Sequence, residues 1–578
     1  MLTQYPRPQF QRQNWTNLNG EWNFLFDDDN KGEEEEWYKS FPDSQKILVP
    51  YSYETALSGI NDQSHHKVLW YQNTFTADMK DKKRMLLHFE GVDFETKVWV
   101  NGIFAGSHKG GYAAFQIDVT RMLKEGDNNI ALRVEDSLSC EQPRGKQRWK
   151  QDNFGCWYIQ TTGIWKTVWL EEVPEFYLEK VKMTPDIDKG IIDITAKFSG
   201  TKREENTWLQ VEISLEGKKI CKKQAQVLNG HLHIPVNLIG EEEPWTLALW
   251  SPESPKLYDV KFSLLAGEEI TDEVDSYFGM RKISIEGDKI LLNNLPLYQR
   301  LILDQGYWEE SHLTPPSEEA MIEDIELILK AGYNGLRKHQ KVEDARFLYW
   351  CDRKGLLVWS EMASQYIFND SSIQLFTKEW MEIVEQNYNH PSIITWTPFN
   401  ESWGIEYIAV DTAQQQFTES IYHLTKSLDG MRPVIVNDGW EHTVSDIITL
   451  HDYVEGGEEF LSRYRDKDKI LGNEIPFNLV RYAFAKGYSY KGQPVIISEY
   501  GGIALTNEKG WGYGEQVKSE DALLSRFDGI TSAIKSLDYI CGFCYTQLTD
   551  VQQEINGLYT MKREPKVNIE KISEINRR

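Results

Sequence analysis

Two short apolar runs, each ending in a glutamate, limit what this 578-residue chain can fold into more than any other feature. One is Ser392-Ile393-Ile394-Thr395-Trp396-Thr397-Pro398-Phe399-Asn400-Glu401-Ser402-Trp403-Gly404. The other, Pro494-Val495-Ile496-Ile497-Ser498-Glu499-Tyr500-Gly501-Gly502, places its glutamate 98 residues later. Apolar runs of this length fit strands covered on both faces, as in parallel sheets. Their carboxylates then stand at the C-terminal rim of the sheet, where barrels of alternating strands and helices carry their chemistry. The rest of the chain must supply the other strands and the helices between them.

From Gly279-Met280-Arg281-Lys282 onward it does so. Eight candidate strands follow: Leu301-Ile302-Leu303, Gly335-Leu336-Arg337, Leu356-Leu357-Val358-Trp359, Ile393 to Trp396, Val434-Ile435-Val436, Ile447 to Leu450, Val495 to Ile497, and Gly542 to Thr546. Helical periods separate them. The stretch 317–330 opens on Ser317 as N-cap, has acidic residues in its first turn and places Met321, Ile325, Leu327 and Ile328 on one stripe. Further helices are expected over 371–388 and 410–428. Eight strands over about 290 residues indicate a (β/α)8 barrel. Every predicted strand end is polar: Asp304; Lys338 and His339; Glu361; Asn400 and Glu401; Asn437 and Asp438; His451, Asp452 and Tyr453; Glu499; Gln547 and Asp550. Any one could be an ordinary loop residue; all eight together are what a deep sugar pocket needs.

Upstream, residues 1–175 read as all-β. Alternating strands at Asn19 to Phe26, Val68 to Phe75, Arg84 to Phe89, Thr96 to Val100, Ala113 to Val119, Asn129 to Val134 and Gly163 to Leu170 suggest a sandwich or jelly roll. Asn101-Gly102 is a hairpin turn signal. The polar, basic stretch Gln142 to Asp152, with Trp149 and Trp157 nearby, reads as a long loop that is either a solvated connection or reaches toward the active site. Residues 176–285 contain strands at Leu178 to Val181, Gly190 to Ala196, Leu209 to Ile213 and Leu232 to Val236, a length and pattern that suit an immunoglobulin-like β-sandwich. The charge runs Lys202 to Glu205 and Glu241 to Glu243 read as solvated loops.

The formal charge of −26 argues against a nucleic-acid surface or an anionic-membrane binder, since both need a positive field. No run of 18 apolar residues offers a membrane span, and the first residues lack a basic region followed by an apolar core, so the expected location is cytoplasmic. Six cysteines are sparse for this length; Cys541 and Cys544 share Cys-x-x-Cys spacing but sit in an apolar strand, which reads as structural thiols. No cluster with metal-ligand spacing stands out, so neither metal nor cofactor is expected. The 20 Trp, 28 Tyr and 24 Phe mostly fit large β cores, although aromatic rings also serve as platforms for sugar faces.

Two carboxylates on two strand ends of one barrel suit glycoside cleavage, with an acid on the leaving oxygen and a second carboxylate across the anomeric carbon. Glu401 is the expected acid/base and Glu499 the expected nucleophile, at the separation of about 5 Å that gives retention of configuration. Asn400 is placed to donate to the sugar 2-hydroxyl, Tyr453 or Tyr500 to tune Glu499, and Trp403, Trp440 and Trp511 to wall the pocket. Asp304, Lys338, His339, Glu361, His451 and Gln547 complete the expected substrate-binding set.

Several segments resemble glycoside hydrolase family 2: Asn19-Gly20-Glu21-Trp22, Val98-Trp99-Val100-Asn101-Gly102, Gly163 to Trp169, His390-Pro391-Ser392-Ile393-Ile394, Asn400-Glu401-Ser402 and Ser498-Glu499-Tyr500-Gly501. The resemblance runs from near Leu18 to about Lys566. It implies a jelly-roll sugar-binding domain, an immunoglobulin-like sandwich and a catalytic (β/α)8 barrel. It also implies a retaining mechanism with Glu401 as acid/base and Glu499 as nucleophile, and an oligosaccharide or glycoside as partner. Family members are often dimers or tetramers, so a homo-oligomer is compatible with it. The family's usual Arg-x-x-His after strand two is Arg337-Lys338-His339-Gln340 here, and the Asn-x-Lys element resembling the β-glucuronidase carboxylate reader is missing before Gly557-Leu558-Tyr559-Thr560. These departures make a β-galactoside the leading substrate, with β-glucuronide (through pairing with Lys338) and α-L-arabinoside behind it. A silent carbohydrate-binding protein on the same scaffold would be expected to lack Asn400, Glu401 or Glu499, and all three are present.

Overall fold

Alternation of apolar and polar residues builds two β units before the barrel begins. The computed structural model describes residues 2–78, 83–200, 206–239, 246–505 and 509–578; the charge runs at 202–205 and 241–243 lie outside the described residues. In the first unit a six-stranded sheet runs in the order Gln45–Val49, Gly20–Phe26, Val68–Ala77, Gly126–Glu135, Glu95–Val100, Ile103–Lys109. It faces a four-stranded sheet of Trp15–Asn17, Val168–Pro174, Lys83–Phe89 and Phe115–Asp118. Trp22, Phe24, Leu69, Tyr71, Leu87, Val98 and Leu170 fill the space between them in a jelly roll. Asn101 and Gly102 both take positive φ, 52° and 78°, as a tight hairpin turn requires.

The second unit packs a three-stranded sheet, Phe176–Asp186, Ile191–Gly200 and His231–Asn237, on a four-stranded one. The latter runs Lys218–Gln226, Thr207–Leu215, Tyr258–Ala266, Glu269–Phe278, giving an immunoglobulin-like sandwich. Ile192, Ile194, Ala196 and Phe198 alternate inward along a single strand and meet Leu209, Val211 and Ile213 from the facing sheet.

The barrel places seven parallel strands in one sheet, ordered Ile393–Thr397, Leu357–Glu361, Gly335–Lys338, Gln299–Asp304, Ile540–Thr546, Val495–Gly501, Ile448–His451. The eighth, expected at Val434 to Val436, is reduced to a bridge between Val434 and Trp396 and a two-residue ladder pairing Asn437–Asp438 with Phe399–Asn400. Pro398 accounts for this, because it cannot donate to a ladder and interrupts its strand, whereas Pro433 stands just before its own and accepts from Trp396 N–H at 3.1 Å. The expected helices form as Glu318–Lys330, Asp370–Asn387 and Thr412–Leu428, capped by the side chains of Ser317, Asn369 and Asp411. No helix among the described residues is long and apolar enough to cross a membrane. All six cysteines are unpaired.

The three units interlock through buried charge. Arg12 donates to both oxygens of Asp272 in the sandwich, at 2.9 Å each, and to Glu171 of the jelly roll at 3.0 Å. Lys166 of the jelly roll reaches the Val342 carbonyl of the barrel at 2.9 Å, and Tyr277 of the sandwich donates to Asp352 of a barrel helix at 2.8 Å. Removing one member of a buried ion network leaves the other charges desolvated, at a cost of about 3–5 kcal/mol. Arg12→Met is therefore expected to lower the first thermal unfolding transition and to open the junction of the two β units to limited proteolysis. Calorimetry and digestion both unchanged would show that Arg12 holds nothing.

Candidate active site

Strand parity decides which side chains reach the barrel interior. Leu301, Leu303, Leu357, Trp359, Ile394, Ile435, Ile496 and Cys544 point inward and form the interior core, closed below by Trp250, Ile283 and Ile290. Ile302, Leu336, Val358, Trp396, Leu450, Ile497 and Tyr545 point outward to the helices. Following the inward set to the C-terminal ends leads to Arg337, Glu361 and His451, all fully buried. Glu499 joins them through an irregularity. Leu450 opposes Ile497 but His451 opposes Glu499, and on the other side Ile497 pairs Phe543 while Tyr500 pairs Tyr545. Ser498 and Glu499 thus share the space of one residue, a β-bulge that re-aims the carboxylate inward.

Glu401 is presented differently. Both Glu401 and Ser402 adopt left-handed backbone, φ 50° and 58°, which costs a non-glycine residue about 1–2 kcal/mol. The conformation is held by Glu401 N–H donating to the Asp438 carbonyl at 2.9 Å. Ser402 N–H donates to Asn437 Oδ1 at 3.0 Å and Ser402 Oγ–H to Glu441 at 2.8 Å. The side chain of Glu401 is 17% exposed against 5% for Glu499, so it stands nearer the mouth. One carboxylate oxygen of each, with a ring nitrogen of His451, lie within 4.8 Å of one another.

A dense charge network fixes this pair. Arg337 Nη1 donates to Glu499 Oε1 at 2.6 Å and lies 2.9 Å from Asp438 Oδ2; its Nε holds Glu361 at 2.6 Å, and its Nη2 donates to Asn400 Oδ1. His451 sits 2.9 Å from Glu401 Oε1 and 3.5 Å from Glu499 Oε2 through Nδ1, and 3.1 Å from Asp438 through Nε2. Burial opposes the charge on His451, but Glu499 and Asp438 outweigh it and push the ring up to about 10. Burial likewise raises the Glu499 carboxyl, yet His451 and Arg337 prevail and hold it below the usual carboxylate range. Tyr453 O–H donates to Glu499 Oε2. Gly439 must lack a side chain, because a Cβ would come within 2.7 Å of His451 Nδ1.

Several expected site residues lie elsewhere. Lys338 and Asp304 have the outward parity of Leu336 and Ile302: Lys338 pairs with Asp304 and with Glu343 at 3.0 Å and covers the Phe347 ring, behind the strands. Neither faces the pocket, and pairing of Lys338 with a uronate is ruled out by parity. Tyr500 also points outward, bonded to Thr531 at 2.8 Å. Gln547 has its amide engaged by Gln305 and Asn556, each at 2.7 Å. Glu361 is wholly buried on Arg337 and Gln340, and His451 touches the carboxylates rather than open space, so both position other groups. His339 lies 3.0 Å from Arg337 and Glu361, and burial with the nearby Lys146 and Arg337 charges keeps its ring well below its usual value.

The structure brings Asn400, Trp403, Trp440 and Tyr453 around the pair. Asn400 Nδ2 and Trp440 Nε1 are buried donors with no partner among the described residues, as contacts for sugar hydroxyls would be. Trp511 sits at the outer rim, donating to the Gly155 carbonyl at 3.0 Å. Missing from the expected set are Arg337 and Asp438. A charged residue inside the apolar stretch Gly335-Leu336-Arg337 was the available signal for the first. Of the two readings of the long loop, the one that reaches toward the site fits the structure: residues 142–148 are buried against the barrel, while 150–152 are exposed. Arg144 N–H and Gly145 N–H both donate to the Ser364 carbonyl of the barrel, and Trp149 and Trp157 join Tyr366 and Trp403 in one aromatic wall. Glu401, His451 and Glu499 are spaced to converge on a cation, and the positive groups beside the carboxylates in this structure are Arg337 and His451.

The raised value of His451 sets a sign. Its charge stabilises the fold fully below its ordinary value of 6.5 and ceases to do so as pH rises through about 10. The unfolding midpoint should fall on that alkaline limb more steeply in the wild type than in His451→Gln. Parallel limbs for the two proteins would remove His451 as the titrating group.

The model of the family 2 glycosyl hydrolase sugar binding domain matches residues 15–174, that of glycosyl hydrolases family 2 matches 176–281, and that of its TIM barrel domain matches 283–521. The β-glucuronidase of Paenibacillus borealis is 23% identical over 95% of this chain and 94% of its own length. The β-galactosidase of Thermoanaerobacter pseudethanolicus is 28% identical over 76% of this chain, which spans only 56% of that relative and about half of some others. The solved structure of the Bifidobacterium dentium β-glucuronidase superposes with a TM-score of 0.80 at 20% identity, covering 100% of this chain and 98% of that one. Matched in all three of its parts, the chain belongs to glycosyl hydrolases family 2.

Proposed function

We propose that this protein is a retaining exo-glycosidase that removes a terminal β-linked uronic acid, a β-D-glucuronide first and a β-D-galacturonide next. The observation that carries the chemistry is the pair of carboxylates within 4.8 Å of each other, with Glu499 held ionised by His451 and Arg337. Glu499 attacks the anomeric carbon as the glycosidic C–O bond breaks, and Glu401, nearer the mouth, gives its proton to the leaving oxygen. Water then adds to the glycosyl-enzyme ester, Glu401 takes its proton, and Glu499 leaves as carboxylate. Tyr453 and Arg337 hold the nucleophile in line, and Asn400 Nδ2 is the donor for the sugar 2-hydroxyl, a contact that strengthens in the transition state.

The uronide assignment, in place of the galactoside expected from sequence, is supported by a relative matched along nearly its full length being a β-glucuronidase. β-Galactosidases are matched over 48–56% of theirs. A β-galactoside remains the second reading, favoured by the 28% identity to one such enzyme and by the missing Asn-x-Lys element. We place the divisions between the three units near residues 175 and 285.

A panel of aryl β-D-glycosides tests this directly. The glucuronide or galacturonide should be hydrolysed fastest, and Glu499→Gln should lower kcat by about four orders of magnitude or more. Turnover of the galactoside alone would overturn the uronide assignment and leave the catalytic pair intact. In Glu401→Gly, turnover of an activated aryl substrate should recover with azide and yield the β-glycosyl azide. An α-glycosyl azide would contradict the assigned roles.

A further inference from the structure

Lys146 is a buried cation outside the Arg337 network. It belongs to the long loop of the jelly roll, is 6% exposed, and lies with its Nζ 4.7 Å above the Trp403 ring. Its neighbours in charge all have partners. Arg337 is taken by Glu361, Asp438 and Glu499, Lys338 by Asp304 and Glu343, and Arg144 by the Ser137, Ser139 and Arg148 carbonyls. Among the described residues no carboxylate stands within ion-pair distance of Lys146 Nζ, and the Cys156 thiol lies near it. Burial works against its charge, but Cys156, Glu554 and Glu499 outweigh that and hold the ammonium above its usual value. Glu554 is itself occupied, accepting from the Tyr158 hydroxyl and from Asn556 at 3.1 Å.

The loop is fixed where it must be. Gly145 has φ 58°, and a Cβ there would lie 2.3 Å from the Gln340 carbonyl, so the jelly-roll backbone presses on the barrel rim next to His339. Tyr366 O–H donates to the Gly145 carbonyl at 2.6 Å and Tyr158 N–H to the Lys146 carbonyl at 2.8 Å. A charged ammonium on so rigid a support is preorganised for an anion that enters the pocket beside it.

We propose that Lys146, delivered by the N-terminal domain, is the specificity residue that pairs with the sugar carboxylate in the barrel pocket. This rests on the uronide reading above. It assigns to a jelly-roll lysine the recognition first expected of Lys338, which faces away.

The test compares kcat/KM for an aryl β-D-uronide and the neutral aryl β-D-hexoside of the same configuration, in the wild type, Lys146→Met and Lys146→Arg. Lys146→Met keeps the stem over Trp403 and removes the charge. The uronide value should fall about a hundredfold or more while the hexoside value changes less than threefold. Lys146→Arg should retain at least a tenth of the preference. Equal losses on both substrates in a folded Lys146→Met protein would overturn the inference, leaving Lys146 a support for Trp403. So would a folded Lys146→Arg protein that has lost the preference as completely as Lys146→Met; if Lys146→Met does not fold, Lys146→Arg decides alone. A wild type that turns over the hexoside but no uronide would instead fell the proposed function, and this assignment with it.

Discussion

The guanidinium of Arg337 is the interaction on which the site depends. It is fully buried, and it contacts Glu361, Asp438, Glu499 and Asn400 from four different strand ends. A single planar cation with five donors can tie four acceptors into one rigid array, which a lysine could not do. Burial disfavours its charge, yet Asp438, Glu361 and Glu499 together outweigh that and keep it ionised. Three carboxylates would repel one another in this interior. Arg337 and the imidazolium of His451 make their proximity stable and leave Glu499 charged.

That array needs an unusual backbone on both sides. The bulge at Ser498 and Glu499 places two successive side chains inward, so that Ser498 bonds Asp438 at 2.7 Å while Glu499 reaches Arg337. The left-handed pair Glu401 and Ser402 follows the proline-interrupted fourth strand, where a regular ladder would have continued. The weakened strand at Val434 and Asn437–Asp438 is the other side of the same adjustment. Regular pairing is given up at the rim, and side-chain bonds take over the hydrogen-bonding groups that the ladder would have satisfied.

The β units also shape the pocket. The loop 142–152 packs on the barrel through the Ser364 and Gln340 carbonyls, and its Trp149, with Trp157 beyond it, extends the wall begun by Trp403. The junctions made by Arg12, Lys166 and Tyr277 therefore matter to the site as well as to stability, because they hold the domain carrying that loop.

Much was legible in the sequence because it is local. Apolar runs and turn signals gave most strands. Ser317 showed a helix start, and the two strand-end glutamates marked where chemistry would lie. Lys338 shows the limit: it stands beside Arg337 in sequence, but one residue along a strand reverses the face, and parity is set only when neighbouring strands fix the register. Arg337 carried the signal of a charge inside an apolar strand, yet its four partners come from strands up to 162 residues apart. The bulge at Glu499 and the docking of Lys146 likewise leave no local trace. The sequence by itself determined which segments are strands and helices and which two carboxylates end them, since those follow from periodicity and composition. Only the tertiary structure decided which neighbours face the pocket, what charge each holds and which domain completes the wall, since these depend on contacts between segments distant along the chain.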